Sequence, residues 1–216
     1  VEGDAVLSGA VVCLTGGMAA GKTALASILR RKGAAYYPLD EAAHALYLPG
    51  RPVHWALVRA FGRGILGAGK TIDRGALGNI AFRREDALRR LDAIVHPALR
   101  CEAREALARM RRRNVLTVVE AGPLLFDLGL YRAVDCAVLV TAPYGERVRR
   151  LAEARGLPAS RARALLRAME PVEKALNARF RTMRRAMEVD TGGPPGSLER
   201  RAEGILRRCR NGSPRD

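Results

Sequence analysis

The chain has 216 residues, of which 48% are hydrophobic, 28% charged and 5% aromatic. That balance excludes disordered, collagen-like and disulfide-scaffold proteins, and the length suits one catalytic domain carrying an insertion or a lid. Lys and Arg number 38 against 22 Asp and Glu, a formal net charge of +16 that predicts affinity for anions, whether nucleic acid, an acidic lipid surface or phosphorylated small molecules.

The opening residues VEGDAVLSGA hold two acids and no basic segment, and the apolar run after them stops at Gly16. Neither a signal peptide nor a membrane span is expected, and the location expected is the cytoplasm. Short β-branched runs then alternate with helical stretches. Strands are predicted at 11–15, 35–39, 115–119 and 136–141, with a weaker fifth at 186–189. The first four are nearly continuous apolar runs, as in parallel strands covered on both faces. Helices are predicted over 23–32, 42–46, 53–61, 74–81, 84–94, 97–112, 145–155 and 160–187, the last in one or more pieces, with a terminal helix over 198–209.

This alternation predicts an α/β fold with a parallel sheet. The sheet core would occupy about 10–40, 114–144 and 186–210. The helical stretch 41–113 is far longer than one crossover needs and reads as a subdomain. The Arg-rich segment 145–185 reads either as a mobile lid or as a solvated helical face. Residues 191–197, TGGPPGS, form a turn or short linker, and the last seven residues are expected to fray. Cys13, Cys101, Cys136 and Cys209 lie far apart with no C-x-x-C pair, so neither a zinc site nor a disulfide framework is expected. Cys13 and Cys136 read as buried thiols.

Gly16-Gly17-Met18-Ala19-Ala20-Gly21-Lys22-Thr23 fits G-x-x-x-x-G-K-[ST] and stands directly between the first strand and a helix. Only four residues of the chain are lysine (Lys22, Lys32, Lys70, Lys174), and one of them falls at the motif position. The glycines let successive N–H groups face a nucleotide's phosphates, and the helix N-terminus adds positive potential. Lys22 would bridge the β- and γ-phosphates, and Thr23 would ligate Mg²⁺. Asp40 falls at the end of the second strand, where ligands gather in open α/β sheets. It reads as a proton acceptor, as a Mg²⁺ holder through water, or as the N-cap of the next helix. The absence of N-K-x-D counts against a GTPase.

These residues resemble the dephospho-coenzyme A kinase family. The resemblance runs from about Val11 to Gly193: L-T-G-G-x-x-x-x-G-K-T at the first turn, a strand ending in Asp40, I-D-R-x-x-L at 72–77 with Ile80-Ala81-Phe82, I-V-H-P at 94–97, P-L-L-F-D at 123–127, and Met169 with Glu173-Lys174. It implies a P-loop kinase with a five-stranded parallel sheet flanked by helices, a helical substrate subdomain and a lid. It also implies ATP and Mg²⁺ as cofactors, and transfer of the γ-phosphoryl to the ribose 3′-hydroxyl of dephospho-coenzyme A. Asp40 matches the family's base.

His44, Arg74 and His96 match substrate-binding positions, although His44 stands where the family has Arg and Pro38 where it has Asp. The family's R-x-x-x-Q of the lid has no Gln here. Either Arg150 or Arg155 would reach the transferring phosphoryl. His96-Pro97 reads equally as a substrate contact at the start of a helix or as a helix-entry corner. Arg111-Arg112-Arg113 reads as a solvated helix end. The expected partner is a small-molecule substrate, with no obligatory nucleic acid and no membrane, and a monomer is compatible with the sequence. The rival readings are a nucleoside or nucleotide kinase on the same fold and a nucleic-acid-binding P-loop ATPase.

Overall fold

A computed structural model of the chain describes residues 9–194 and 196–210. Its described residues divide into two compact units, Pro38–Ala106 and the residues on either side of that segment. The larger unit is built on a five-stranded parallel sheet in the order β2-β3-β1-β4-β5. Its strands are β1 (Val11–Gly16), β2 (Ala35–Pro38), β3 (Thr117–Glu120), β4 (Cys136–Thr141) and β5 (Ala186–Asp190). β1 runs parallel to β3 on one side, with Leu14 opposite Glu120, and to β4 on the other, with Gly16 opposite Val140.

Every residue of β1 is buried, which is why its run reads VVCLTG without polar alternation. Val12, Leu14, Val118, Val138 and Val140 pack against Leu25, Ile28 and Leu29 of α1 (Lys22–Arg31) and Ala202, Ile205 and Leu206 of α9 (Ser197–Arg210). The edge strand β5 is only partly covered, and its pattern was correspondingly the weakest to read. The C-terminal ends of β1, β3, β4 and β5 therefore come together at one sheet edge. The expected frayed C-terminal tail lies outside the described residues, apart from Arg210 itself, the last residue of α9.

The structure corrects several expected boundaries. β2 ends at Pro38, and α2 spans Leu39–Ala45, so Asp40 lies in the first turn of a helix rather than at a strand end. The N-cap is Pro38 with no side-chain bond, so Asp40 is not the cap; with Glu41 it sits where an acid meets the positive end of the helix dipole. β3 starts later than expected and extends to Glu120. α3 (Pro52–Phe61) and α4 (Arg74–Ala81) follow the predicted periodicity, and the Asp73 carboxylate caps α4 by accepting from the N–H groups of Gly75 and Ala76.

The two helices expected on either side of His96-Pro97 are one, α5 (Glu85–Arg112), with Pro97 inside it. A proline there removes one helical hydrogen bond and costs about 3 kcal/mol. Val95, Leu99, Ala103 and Ala106 continue as one buried stripe through the proline. Burial of the valine and leucine alone contributes about 1.5–3 kcal/mol each, enough to carry the helix across the break. His96 is thus neither a cap nor a corner; it sits one turn from Asp92, Nε2 to Oδ1 3.4 Å. Arg111 is also not a solvated end, since its guanidinium bonds Asp135 Oδ2 and Ala133 O, both at 2.8 Å, and Asp135 accepts from the Val11 N–H at 2.8 Å.

Replacing Pro97 by Ala is expected to restore the missing helical bond and raise unfolding stability by about 1–3 kcal/mol. Urea denaturation of Pro97→Ala, followed by circular dichroism, measures this; unchanged or lower stability would show that the proline's packing outweighs its backbone cost.

Candidate active site

The turn Gly16–Gly21 joins β1 to α1 at the C-terminal sheet edge. Lys22 folds back so that Nζ donates to Gly16 O and Gly17 O, both at 3.0 Å. The turn is thus closed around its own ammonium, with the helix N-terminus beneath it. Gly16 has φ 139°, and a Cβ there would sit 2.2 Å from Val140 O, so β4 forbids any side chain. Gly21 caps α1 in the left-handed region at φ 95°, which a glycine adopts at no steric cost.

Thr23 lies in the first turn of α1, and its hydroxyl donates to Glu120 Oε1 at 2.9 Å. The other carboxylate oxygen accepts from Tyr36 Oη at 2.7 Å. Glu120 thereby joins the ends of β2 and β3 to the P-loop. The sequence reading missed it because it ended β3 one residue early. The available signal was the same one used for Asp40, an acid closing an apolar strand. A hydroxyl and a carboxylate at this spacing are hard oxygen donors of the kind Mg²⁺ accepts.

On the far side of the turn stand the two helices of the segment read as a lid, α7 (Tyr144–Arg155) and α8 (Ala159–Arg181). Val148, Leu151, Ala162 and Leu166 form their shared core, and Met18 and Ala19 pack against it. Arg147 Nε donates to Met18 O at 2.8 Å, and its Nη2 donates to Glu173 Oε1 at 2.5 Å; that oxygen also accepts from the Met18 N–H at 3.0 Å. Both side chains are mostly buried, at 15% and 16% exposure. A buried ion pair of this kind is costly to break by removing one partner.

Arg150 is engaged with Glu146 and with the hydroxyl and carbonyl of Thr191, while Arg155 is exposed at the end of α7. The P-L-L-F-D segment includes α6 (Leu124–Asp127), and its acid pairs with Arg179 of α8 at 2.6 Å while the same guanidinium lies over the Phe126 ring. That motif fastens α8 to α6.

In the helical unit, Asp40 and His44 are one turn apart on α2, and both are exposed. Arg74 Nη1 lies 2.9 Å from His44 Nδ1, which requires a neutral, accepting ring because a guanidinium only donates. Partial desolvation of the otherwise exposed ring, and then the Arg74 charge, push the His44 pKa down, against opposing pulls from Asp40 and Glu41. Tyr47 meets the His44 ring edge-on at 6.1 Å, and its hydroxyl pKa is raised by burial and by Asp92. Through Tyr47 and Asp92 the three expected substrate residues, His44, Arg74 and His96, belong to one neighbourhood.

A parallel sheet with a glycine-rich turn, its lysine and a helix-terminal threonine, flanked by helices, defines the class of P-loop kinases. The family model described as dephospho-CoA kinase matches residues 10–181. A dephospho-CoA kinase from Geobacter sulfurreducens is 38% identical over 195 residues, covering 90% of this chain and 96% of its own. A crystal structure from Thermus thermophilus superposes with TM-score 0.71 at 29% identity, covering 92% and 97% of the two chains. The dephospho-CoA kinase of Campylobacter jejuni, 17% identical with TM-score 0.66 over 91% and 95%, shares the fold. The chain belongs to the dephospho-CoA kinase family. Among the described residues no helix is long and apolar enough to cross a membrane.

Because folding lowers the His44 pKa, stability tied to the His44–Arg74 contact is present above the ordinary histidine pKa and is lost as the pH falls to the folded value and below. The imidazole of His44, followed by NMR, is expected to titrate below an unperturbed histidine. Arg74→Gln should move the midpoint back up, and an unmoved midpoint would show that Arg74 does not set it.

Proposed function

We propose that the protein phosphorylates the ribose 3′-hydroxyl of dephospho-coenzyme A, using ATP with Mg²⁺ in the cytoplasm. The observation that carries this reading is the closed Lys22 turn within a chain of that family. The backbone N–H groups of Gly16–Thr23 and the α1 terminus receive the ATP phosphates. Lys22, already at the mouth of the turn, neutralises charge that develops on the transferring phosphoryl.

Thr23 and Glu120 are the oxygen donors that would hold Mg²⁺, directly or through water, and the ion when bound would neutralise phosphate charge. Asp40 orients the acceptor hydroxyl and accepts its proton, with His44, Arg74 and His96 binding the acceptor molecule around it. Arg147 holds the turn through the Met18 carbonyl, and Arg150 braces Thr191 at the exit of β5. Catalysis in this scheme is positioning and electrostatics, with the lid limiting water that would otherwise hydrolyse ATP.

An ADP-release assay with dephospho-coenzyme A, alongside adenosine and nucleoside monophosphates, tests the reading. Turnover is expected with dephospho-coenzyme A alone; ADP release indifferent to it would sink the proposal. Asp40→Asn should lower kcat about 10²-fold or more while ATP binding stays within about twofold. An equal loss in both would make Asp40 a structural residue. Glu120→Gln should raise the Mg²⁺ concentration for half-maximal rate about tenfold, one charge-assisted contact's worth; an unchanged Mg²⁺ response would remove it from the ion site.

A further inference from the structure

The Ala20–Gly21 peptide, where the phosphate turn becomes α1, is held by residues outside the motif. Thr191 follows β5 directly and is buried, and its N–H donates to Thr141 O at 2.7 Å, which ties it to the end of β4. Its hydroxyl lies 2.6 Å from Ala20 O and 2.8 Å from Arg150 Nη1, while Arg150 Nη2 donates to Thr191 O at 2.9 Å.

The direction of these bonds is forced. A guanidinium has no acceptor, so Arg150 occupies a lone pair of the threonine oxygen and leaves its single proton for Ala20 O. A trans peptide points its carbonyl and its N–H in opposite directions, and no cis peptide is present among the described residues. Drawing Ala20 O onto Thr191 therefore turns the Gly21 N–H away from it. Among the described residues no protein acceptor is found for that N–H. Gly21 lies close against Thr191, where an added Cβ would meet its Oγ1 at 2.7 Å.

We propose that Thr191, oriented by Arg150, is a positioning residue for ATP: it fixes the Ala20–Gly21 peptide so that the Gly21 N–H faces the phosphates. The proposal rests on the P-loop kinase reading. It assigns the β5 exit and α7 a part in nucleotide binding without contact to the nucleotide. It also gives Arg150 a task other than reaching the transferring phosphoryl. Because α7 carries Arg150, lid position and turn geometry are coupled through one hydroxyl.

Thr191→Val keeps the shape and removes the hydroxyl, whereas Thr191→Ser keeps the hydroxyl. ATP binding measured by calorimetry is expected to weaken about tenfold in the Val variant, one misdirected bond to a charged phosphate, and to stay within about twofold in the Ser variant. The KM for dephospho-coenzyme A should stay within about twofold in both, a split that general loosening of the fold would not give. Arg150→Met is the independent arm should the Val variant not fold. It frees the hydroxyl to rotate and should weaken ATP binding by about threefold. Wild-type ATP affinity in Thr191→Val or in Arg150→Met, a Ser variant as impaired as the Val variant, or equal losses for both substrates would overturn the proposal. Calorimetry on ATP alone needs no turnover, so a wild-type enzyme that binds ATP and ignores dephospho-coenzyme A would refute the proposed reaction while leaving this test intact.

Discussion

The close approach of one backbone turn to its surroundings governs the larger unit. At Gly16 the main chain lies against the Val140 carbonyl of β4, near enough that a single added carbon would collide. That contact lets the chain leave β1, curl over the sheet edge and enter α1 within a few residues. Everything brought to the turn depends on this path: Lys22 on its carbonyls, Glu120 on Thr23, the Arg147–Glu173 pair on Met18, and Thr191 on Ala20. The strain in the turn is local. Ala19 adopts φ 58°, a left-handed conformation costing about 1–2 kcal/mol for a residue with a side chain, and it does so while packing against α7 and α8.

The turn is gripped differently on its two flanks. Toward β3 the contacts are exposed and polar, Thr23 to Glu120, where water and ions compete freely. Toward α7 and α8 they combine an apolar cluster with a largely buried ion pair, which resists exchange with solvent. A surface that is open on one side and dry on the other suits a site where a charged nucleotide enters and its phosphates are held against fixed donors.

The basic excess has a mixed fate. Several of the ion pairs among the described residues are at least half exposed on one partner, as in Arg31–Glu199, Arg84–Asp86 and Lys174–Glu170, and such pairs contribute little to stability. A few arginines are committed instead to fastening elements together. Arg111 ties the end of α5 to the start of β1 through Asp135, Arg179 ties α8 to α6, and Arg147 and Arg150 tie α7 to the turn. The guanidinium forks of Arg111, Arg147 and Arg150 each bridge more than one acceptor, which a lysine ammonium at the same place would do less well.

The sequence by itself determined the architecture and the turn. Continuous apolar runs marked the parallel strands, and G-x-x-x-x-G-K-T after the first of them specified a phosphate loop, because those features are local and follow from backbone geometry within a few residues. The family pattern added Asp40, His44, Arg74 and His96. What only the tertiary structure decided was whatever depends on partners far along the chain. Pro97 sits within one helix because a buried stripe holds α5 through it. Glu120 reaches Thr23 because β3 runs beside β1. Arg150 meets Thr191 across 41 positions because the exit of β5 lies against the turn. A residue's neighbours in space are set by sheet order and helix packing, and no spacing within a single segment encodes them.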